Sequence, residues 1–286
     1  MANRVRKAVL PVAGLGTRLL PATKSIPKEM ITVVDRPLIQ YAVDEAREAG
    51  IEELIFVTGR GKSALVDYFD HAYELEATLK AKGKSLDVLA PSNVTFGEVV
   101  TVRQQQPLGL GHAVWCARHI VGDEPFAVLL PDELMFGTPN CLAQMMRAYD
   151  RVGGNIVAAL EVPASETHKY GVIDPGPSDG RLTQIRGMVE KPAAGTAPSN
   201  LMLPGRYILQ PEVLRQLDAQ ETGAGGEIQL TDAMARLIGT QPFHAFLFDG
   251  ARYDCGSAEG FVIANIAMAM EREDVGPAVR EFIARL

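Results

Sequence analysis

The segment Ala13-Gly14-Leu15-Gly16-Thr17-Arg18 follows directly on an apolar run, residues 7–12 (KAVLPV). Two glycines let backbone N–H groups come close to a phosphate. Arg18, Lys24 and Lys28 add three cations, and Pro21 and Pro27 stiffen the segment. A stiff cationic loop at the carboxyl end of a buried strand is a cradle for a polyphosphate. An ordinary strand-to-helix turn with solvated charges is the other reading that the spacing leaves open. Further along, Asp132 follows the apolar run 126–130 (FAVLL) and a proline. A carboxylate there suits Mg2+, which takes one or two carboxylates plus phosphate oxygens. A turn or helix-capping aspartate is the competing reading.

Two better-known phosphate motifs do not fit. GxGxxG would need glycine or alanine at position 19, where Leu19 stands, and Pro21 obstructs a helix start. Gly59-Arg60-Gly61-Lys62-Ser63 ends like a P-loop, but that pattern needs glycine where Phe56 sits. No Ser-His-Asp or Cys-His set stands out, and His71, His112, His119, His168 and His244 are scattered. Cys116, Cys141 and Cys255 are far apart, odd in number and form no CxxC pair, against both a disulfide framework and a zinc site. Cys255, beside Asp254, reads as a small packed residue rather than a redox group.

The elements that must position these groups alternate. Residues 7–12 read as a buried strand. Pro37 opens an amphipathic helix over 38–49, closed by Gly50. Strands follow at 54–58, 99–103 and 126–130, with helical segments at 63–70, 71–82 and 111–119. This order predicts an open sheet wrapped by helices, with ligands at the carboxyl ends of the strands. The second half is less regular, with strands at 156–162, 182–190 and 206–209 and helices at 230–238, 258–270 and 277–285. The Pro/Gly clusters at 175–180 and 192–204 read as surface loops rather than linkers. The whole chain therefore reads as one domain, 1–286, with a regular half over about 1–135 and a less regular half over about 136–286.

The composition is globular, with 47% hydrophobic residues, a formal net charge of -7 and a pI near 5.3. That balance argues against nucleic acid or an anionic membrane as the main partner. No apolar stretch approaches the ~20 residues that span a bilayer. The basic start, Met1 to Val12, could suggest a leader, but Pro11 and Gly14 interrupt its apolar run and no small-residue cleavage site follows. A cytoplasmic location is the resulting expectation.

VAGLGTRLLPATKSIPKEM (12–30) resembles the long GxGTRxxPxTxxxPK signature of sugar-1-phosphate nucleotidyltransferases. The likeness continues through VTGRGKSALVDYFD (57–70), RQQQPLGLGHAV (103–114), LLPDELM (129–135), YGVI (170–173), VEKP (189–192), GRYIL (205–209), GGEIQLTDA (225–233) and RYDCGS (252–257). It spans nearly the whole chain in order. It implies a Rossmann-like α/β nucleotidyltransferase fold with a central mixed, mostly parallel sheet flanked by helices. The PATKSIPKEM variant looks like that of bacterial members that join UTP to glucose 1-phosphate, giving UDP-glucose and pyrophosphate. The same reaction with dTTP or another hexose 1-phosphate is the nearest alternative, and a non-catalytic sugar-nucleotide sensor the more distant one.

In such a family a sugar-phosphate oxygen attacks the α-phosphorus directly, so catalysis is alignment and charge neutralisation. The resemblance then implies roles. Arg18 and Lys28 bind the triphosphate, and Ala13 and Gly14 meet the nucleotide through their backbone. Gln104 and Gly109 receive the base. Asp254 joins Asp132 as a second Mg2+ ligand. Gly171, Glu190 and Gly205 serve the sugar, and Lys191 pairs with its phosphate. Glu133 reads as secondary, because neighbours in an extended chain point opposite ways. The apolar segment 261–270 fits core packing or subunit contact, and the family's habit implies a homodimer or homotetramer.

Overall fold

The computed structural model describes residues 4–95 and 97–286; Met1–Asn3, where the segment weighed as a leader begins, lie outside them, as does Phe96. The chain opens with β1 (Lys7–Pro11) and a loop of three single 3-10 turns. The hairpin β2 (Thr32–Val33) and β3 (Arg36–Pro37) then leads into α1 (Leu38–Glu48). β4 (Glu53–Thr58), α2 (Ser63–Asp67), α3 (Tyr73–Ala81), β5 (Val99–Arg103), α4 (Leu110–Cys116), α5 (Arg118–Val121) and β6 (Phe126–Leu129) follow. Next come β7 (Glu133–Phe136), α6 (Cys141–Val152), β8 (Asn155–Glu161), β9 (Gly171–Asp179), β10 (Leu182–Glu190), β11 (Leu201–Met202) and β12 (Arg206–Leu209). α7 (Glu212–Leu217), α8 (Leu230–Ala235), β13 (Phe243–Leu247), β14 (Ala251–Asp254), α9 (Ala258–Glu271) and α10 (Gly276–Ile283) complete the chain.

Ten strands form one mixed sheet in the order β11-β9-β10-β13-β8-β12-β6-β1-β4-β5. β1 pairs in parallel with β4 on one side and β6 on the other. Followed through the ladders, β1, β4, β5, β6, β8, β9 and β13 point one way and β10, β11 and β12 the other. The chain leaves β1 toward β4 and β5, then returns to β6 on the far side. That reversal opens a crevice beyond the carboxyl ends of β1 and β6, where α/β sheets take ligands. The loop 13–18 and Asp132 both lie at that end.

The sheet is buried on both faces, which is why its first strands read as unbroken apolar runs. Val9, Ile55 and Val128 face a core closed by Val114 of α4, Leu214 of α7 and Met234 of α8. Ala8, Leu10 and Phe56 face the opposite core, closed by Ile39 and Val43 of α1 and Leu142 and Met145 of α6. Leu38, Ile39, Ala42, Val43 and Ala46 of α1 recur at helical spacing and are buried, as an amphipathic helix requires.

Where the elements differ from expectation, the reason is local. The helix expected over 111–119 breaks at Ala117 into α4 and α5. Residues 175–180, expected as a loop, are largely the outer half of β9. Pro175 and Pro177 are tolerated because β11 reaches only Val172, leaving that half of β9 at an open edge beside a bulged ladder. In the other expected loop, 192–204, Leu201–Met202 form β11. β7, β13, β14 and α6 were not foreseen. For α6 a start signal is present in Asn140, whose side chain accepts the Ala143 N–H at 2.8 Å. Asn140→Ala is expected to lower unfolding free energy by about 1–2 kcal/mol in a denaturant titration, at unchanged slope. An unchanged midpoint would mean the cap contributes nothing.

Candidate active site

Asp132 and Asp254 are far apart in the chain and are joined by strand pairing. After β6 the chain turns over Leu130–Glu133, with the Glu133 N–H donating to the Leu130 carbonyl at 3.2 Å. β7 then pairs antiparallel with β14, with Glu133 opposite Asp254. The Cys255 N–H donates to the Asp132 carbonyl at 2.8 Å, locking the two segments together. A Cβ placed on Gly256 would lie 2.9 Å from Asp132 Oδ2 and 3.1 Å from Asp254 Oδ1, so these oxygens are no more than about 6 Å apart. Arg18 reaches both carboxylates at 3.9 Å. Two hard oxygen donors converging on one small space suit a divalent cation whose remaining ligands are phosphate oxygens and water. Among the described residues no cluster of three or more His, Cys, Asp or Glu offers a self-sufficient metal cage.

Lys28 Nζ donates to Asp132 Oδ2 at 2.5 Å. Burial works against the Lys28 ammonium, but the Asp132 and Glu29 charges outweigh it and hold the group above the usual lysine range. Burial likewise opposes the Asp132 carboxylate, yet Lys28 outweighs it and keeps this carboxyl below the usual aspartate range. The loop itself is tied by Thr23 Oγ1, which donates to the Gly16 carbonyl at 2.7 Å. Gly16 sits in the left-handed region at φ 67°, the conformation a glycine adopts at least cost. Lys62, the P-loop decoy's lysine, is buried and donates to Glu29 Oε2 at 2.7 Å, so it braces the cationic loop from behind. Lys24 is exposed.

Of these groups, Arg18, Asp132 and Asp254 form one wall of a cavity of about 500 Å³. The facing wall holds Tyr170, Gly171, Glu190, Lys191 and Thr231. Thr231 Oγ1 donates to Glu190 Oε2 at 2.7 Å and so fixes that carboxylate. A Cβ on Gly171 would stand 3.0 Å from the same oxygen, so glycine there leaves room for it. Lys191 has a positive φ of 45°, a costly conformation outside glycine that is found at functional sites. Its Nζ is 3.7 Å from Glu190 Oε1 and half exposed to the cavity. Nothing local in GGEIQLTDA (225–233) singles out Thr231, since the motif could equally cap a helix and its partner, Glu190, is remote in sequence.

Glu133 also lines the cavity, against the expectation that it would point away. The chain turns at Leu130–Glu133 instead of running extended, so neighbours face the same space. Arg252 binds Glu133 through two bonds, of 2.5 and 2.8 Å, and lies over the Tyr170 ring at 5.0 Å. Burial, aided by the Asp132 and Asp254 charges and opposed by Arg252, pushes the Glu133 carboxyl up to about 7. Cys255 is fully buried, and burial pushes its thiol up to about 12, in keeping with a packed residue.

The other anticipated residues fall into three groups. Ala13 and Gly14 lie on the cationic loop, where a Cβ on Gly14 would meet Lys28 Cε at 3.7 Å. Gln104 Nε2 donates to the Gly109 carbonyl at 3.1 Å and lies 3.0 Å from His112 Nδ1. Gly109 has φ 109°, and a Cβ there would stand 2.8 Å from the Ile228 carbonyl. The next residue, Leu110, lines the cavity, so this turn borders the site. Gly205 is buried behind Leu130 and off the cavity wall; its neighbours Leu203 and Tyr207 are on that wall. A second cavity, of about 530 Å³, lies between α1, β7 and α9, but Arg36 and Arg272, which line it, are already paired with Asp44 and with Asp35 and Asp274.

A cationic loop facing paired carboxylates at a sheet's switch point defines an α/β protein built to hold polyphosphate with a divalent cation. Residues 7–271 match the nucleotidyl transferase family, and the chain belongs to it. A UTP–glucose-1-phosphate uridylyltransferase of Komagataeibacter xylinus is 53% identical over 259 residues, covering 90% of this chain and 91% of that protein. The UTP-bound UDP-glucose pyrophosphorylase of Acinetobacter baumannii superposes with a TM-score of 0.89 at 44% identity, covering 99% of this chain and 100% of that one. A UDP-glucose pyrophosphorylase complexed with UDP-glucose gives 0.84 at 44% identity, over 94% of this chain and 100% of the other.

The Lys28–Asp132 contact has a signed pH consequence. A depressed aspartate pKa contributes stability above its unfolded value, about 4, that is lost as pH falls through the folded value. In metal-free Lys28→Met protein, burial acts on Asp132 largely unopposed. Its carboxyl resonance is expected to titrate above the usual aspartate range by NMR, and this acid-side stability is expected to disappear. Titration no higher than in the wild type would show that Lys28 does not set the charge of Asp132.

Proposed function

We propose that this chain transfers the uridylyl group of UTP to glucose 1-phosphate, giving UDP-glucose and pyrophosphate. The observation that carries this reading is one cavity lined by Arg18, Asp132 and Asp254 together with Glu190 and Lys191, with Lys28 paired to Asp132. A phosphate oxygen of glucose 1-phosphate attacks the α-phosphorus of UTP. The bond from that phosphorus to its bridging oxygen breaks, and the electron pair leaves with pyrophosphate. The nucleophile is already an anion, so no general base is required. The identities of 53% and 44% to proteins named for UTP and UDP-glucose support uridine over thymidine.

In this reading Arg18 and Lys28 bind the triphosphate and offset charge on the α-phosphorus and the leaving pyrophosphate. Ala13 and Gly14 approach the nucleotide through their backbone, while Gln104 and Gly109 frame the uracil. Gly171, Glu190 and Gly205 serve the glucose, Gly205 from behind the wall. Lys191 draws the sugar phosphate toward the electrophile. Asp132 and Asp254 hold Mg2+, which when bound neutralises phosphate charge. The division into a nucleotide half over about 1–135 and a sugar half over about 136–286 is one of labour within a single domain, with Asp254 returning from the second half to the first.

A homodimer or homotetramer is part of the proposal. Val262, Ile263 and Ile266 on α9 and Phe282 and Ile283 on α10 are exposed, and a second copy of the chain would cover them. A cytoplasmic setting fits the three free cysteines. Among the described residues no helix is long and apolar enough to cross a membrane.

The test is pyrophosphate release with glucose 1-phosphate and Mg2+, comparing UTP with dTTP, ATP, CTP and GTP. UTP is expected to be preferred, and Asp132→Ala to lower kcat by about 10³-fold. Preference for dTTP would overturn the nucleotide assignment. No release from folded protein that still binds UDP-glucose would replace the enzyme with a sensor.

A further inference from the structure

Arg206 is a fully buried arginine outside the cavity wall, on β12, and the reaction described above gives it no part. Its guanidinium has no idle side. Nε lies 3.1 and 3.0 Å from Glu45 Oε1 and Oε2, and Nη2 donates to Glu45 Oε2 at 2.8 Å. Nη1 donates to the Leu130 carbonyl at 2.9 Å and the Gly205 carbonyl at 3.2 Å. Nη2 also donates to the Glu133 carbonyl at 2.8 Å. Leu130 and Glu133 are the first and last residues of the turn that carries Asp132.

Glu45 is tied in its turn. It comes from α1, packs at 6% exposure, and its Oε1 also accepts the Leu142 N–H of α6 at 3.0 Å. The Leu130 N–H donates to the Gly205 carbonyl at 3.0 Å, so the turn is held by β12 through backbone as well. A charge-assisted fork fixed by two helices thus grips both ends of a four-residue turn. A lysine could supply charge here but not five donors in one plane.

We infer that the buried Arg206–Glu45 pair is a positioning device that sets where the Asp132 carboxylate stands relative to Asp254, and through this the affinity of the site for its divalent cation. The inference rests on Asp132 being the cation's ligand. Outer partners that orient a metal ligand typically carry about 10–100-fold in metal affinity or activity. A strut that merely stabilises the fold would lack that signature. α1, β12 and the Asp132 turn converge on this one guanidinium, so its loss acts first where its hydrogen bonds end, at Glu45, at Gly205 and at the two ends of the turn, Leu130 and Glu133.

The experiment compares wild type, Arg206→Lys, Glu45→Gln and Asp132→Ala as full chains. Arg206→Lys, checked for native circular dichroism, is expected to raise the half-activating Mg2+ concentration and lower kcat, each by about 10–100-fold. The KM for glucose 1-phosphate should stay within about threefold, since the facing wall is untouched. In metal-free protein, amide exchange should quicken at Leu130, Asp132 and Glu133 and at Cys255, whose N–H bonds the Asp132 carbonyl, and not at Glu190 or Thr231. Glu45→Gln should move the same quantities the same way by less, and it decides the matter if Arg206→Lys does not fold. Folded variants with unchanged Mg2+ requirement and kcat would overturn the inference, as would kcat and KM changing together with exchange quickened throughout. Should Asp132→Ala itself retain full activity, it is the metal-ligand reading of the site that fails, before any question about Arg206.

Discussion

Asp132, Glu133 and Asp254 crowd one end of the sheet, and carboxylates so close repel one another. The site depends on the cations set among them. Lys28 and Arg18 face Asp132 from the loop after β1, Arg252 grips Glu133, and Arg206 holds the turn between them from below. Without a counter-charge, burial favours protonation, as the Glu133 carboxyl at about 7 illustrates even with Arg252 bound. The loop cations therefore serve the protein before any phosphate arrives. They keep Asp132 ionised, and on the proposed reading an incoming triphosphate finds them already assembled and held.

This preorganisation matches what phosphoryl-group chemistry asks of a protein. The reacting oxygen is anionic and the leaving group stable, so alignment and a fixed field carry the catalysis. The two walls divide that work. The strand-end loops after β1 and β6 present charge, whereas Gly171 opens β9, Glu190 ends β10 with Lys191 next to it, and Thr231 stands on α8 bonded to Glu190. β1, β6, β9 and β10 belong to one ten-stranded sheet, and rigid elements hold a geometry more closely than loops do.

Much of the first half was legible in the sequence because buried parallel strands appear as apolar runs and the helices between them keep their period. β1, β4, β5 and β6 fall where FAVLL, LIFVT and their like stand. The second half was harder. β9 carries Pro175, Gly176 and Pro177, which read as a turn and persist because that stretch sits at an open edge. Asp132 and its cationic loop could be chosen on chemistry alone. Asp254 came only by resemblance, since its meeting with Asp132 is made by the β7–β14 ladder, a long-range pairing no local pattern encodes. Thr231, Arg252 and Arg206 act through partners remote in sequence, and nothing at those positions advertises the contact.

If the walls align two anionic substrates and no side chain is uridylylated, the α-phosphorus is attacked once. The stereochemical course of transfer from one diastereomer of UTP carrying sulfur at the α-phosphorus tests this directly, with product configuration read by 31P NMR. The account predicts inversion, the result of a single in-line displacement. Retention would mean two displacements through a covalent uridylyl-protein intermediate, and would contradict a site that works by alignment and charge alone.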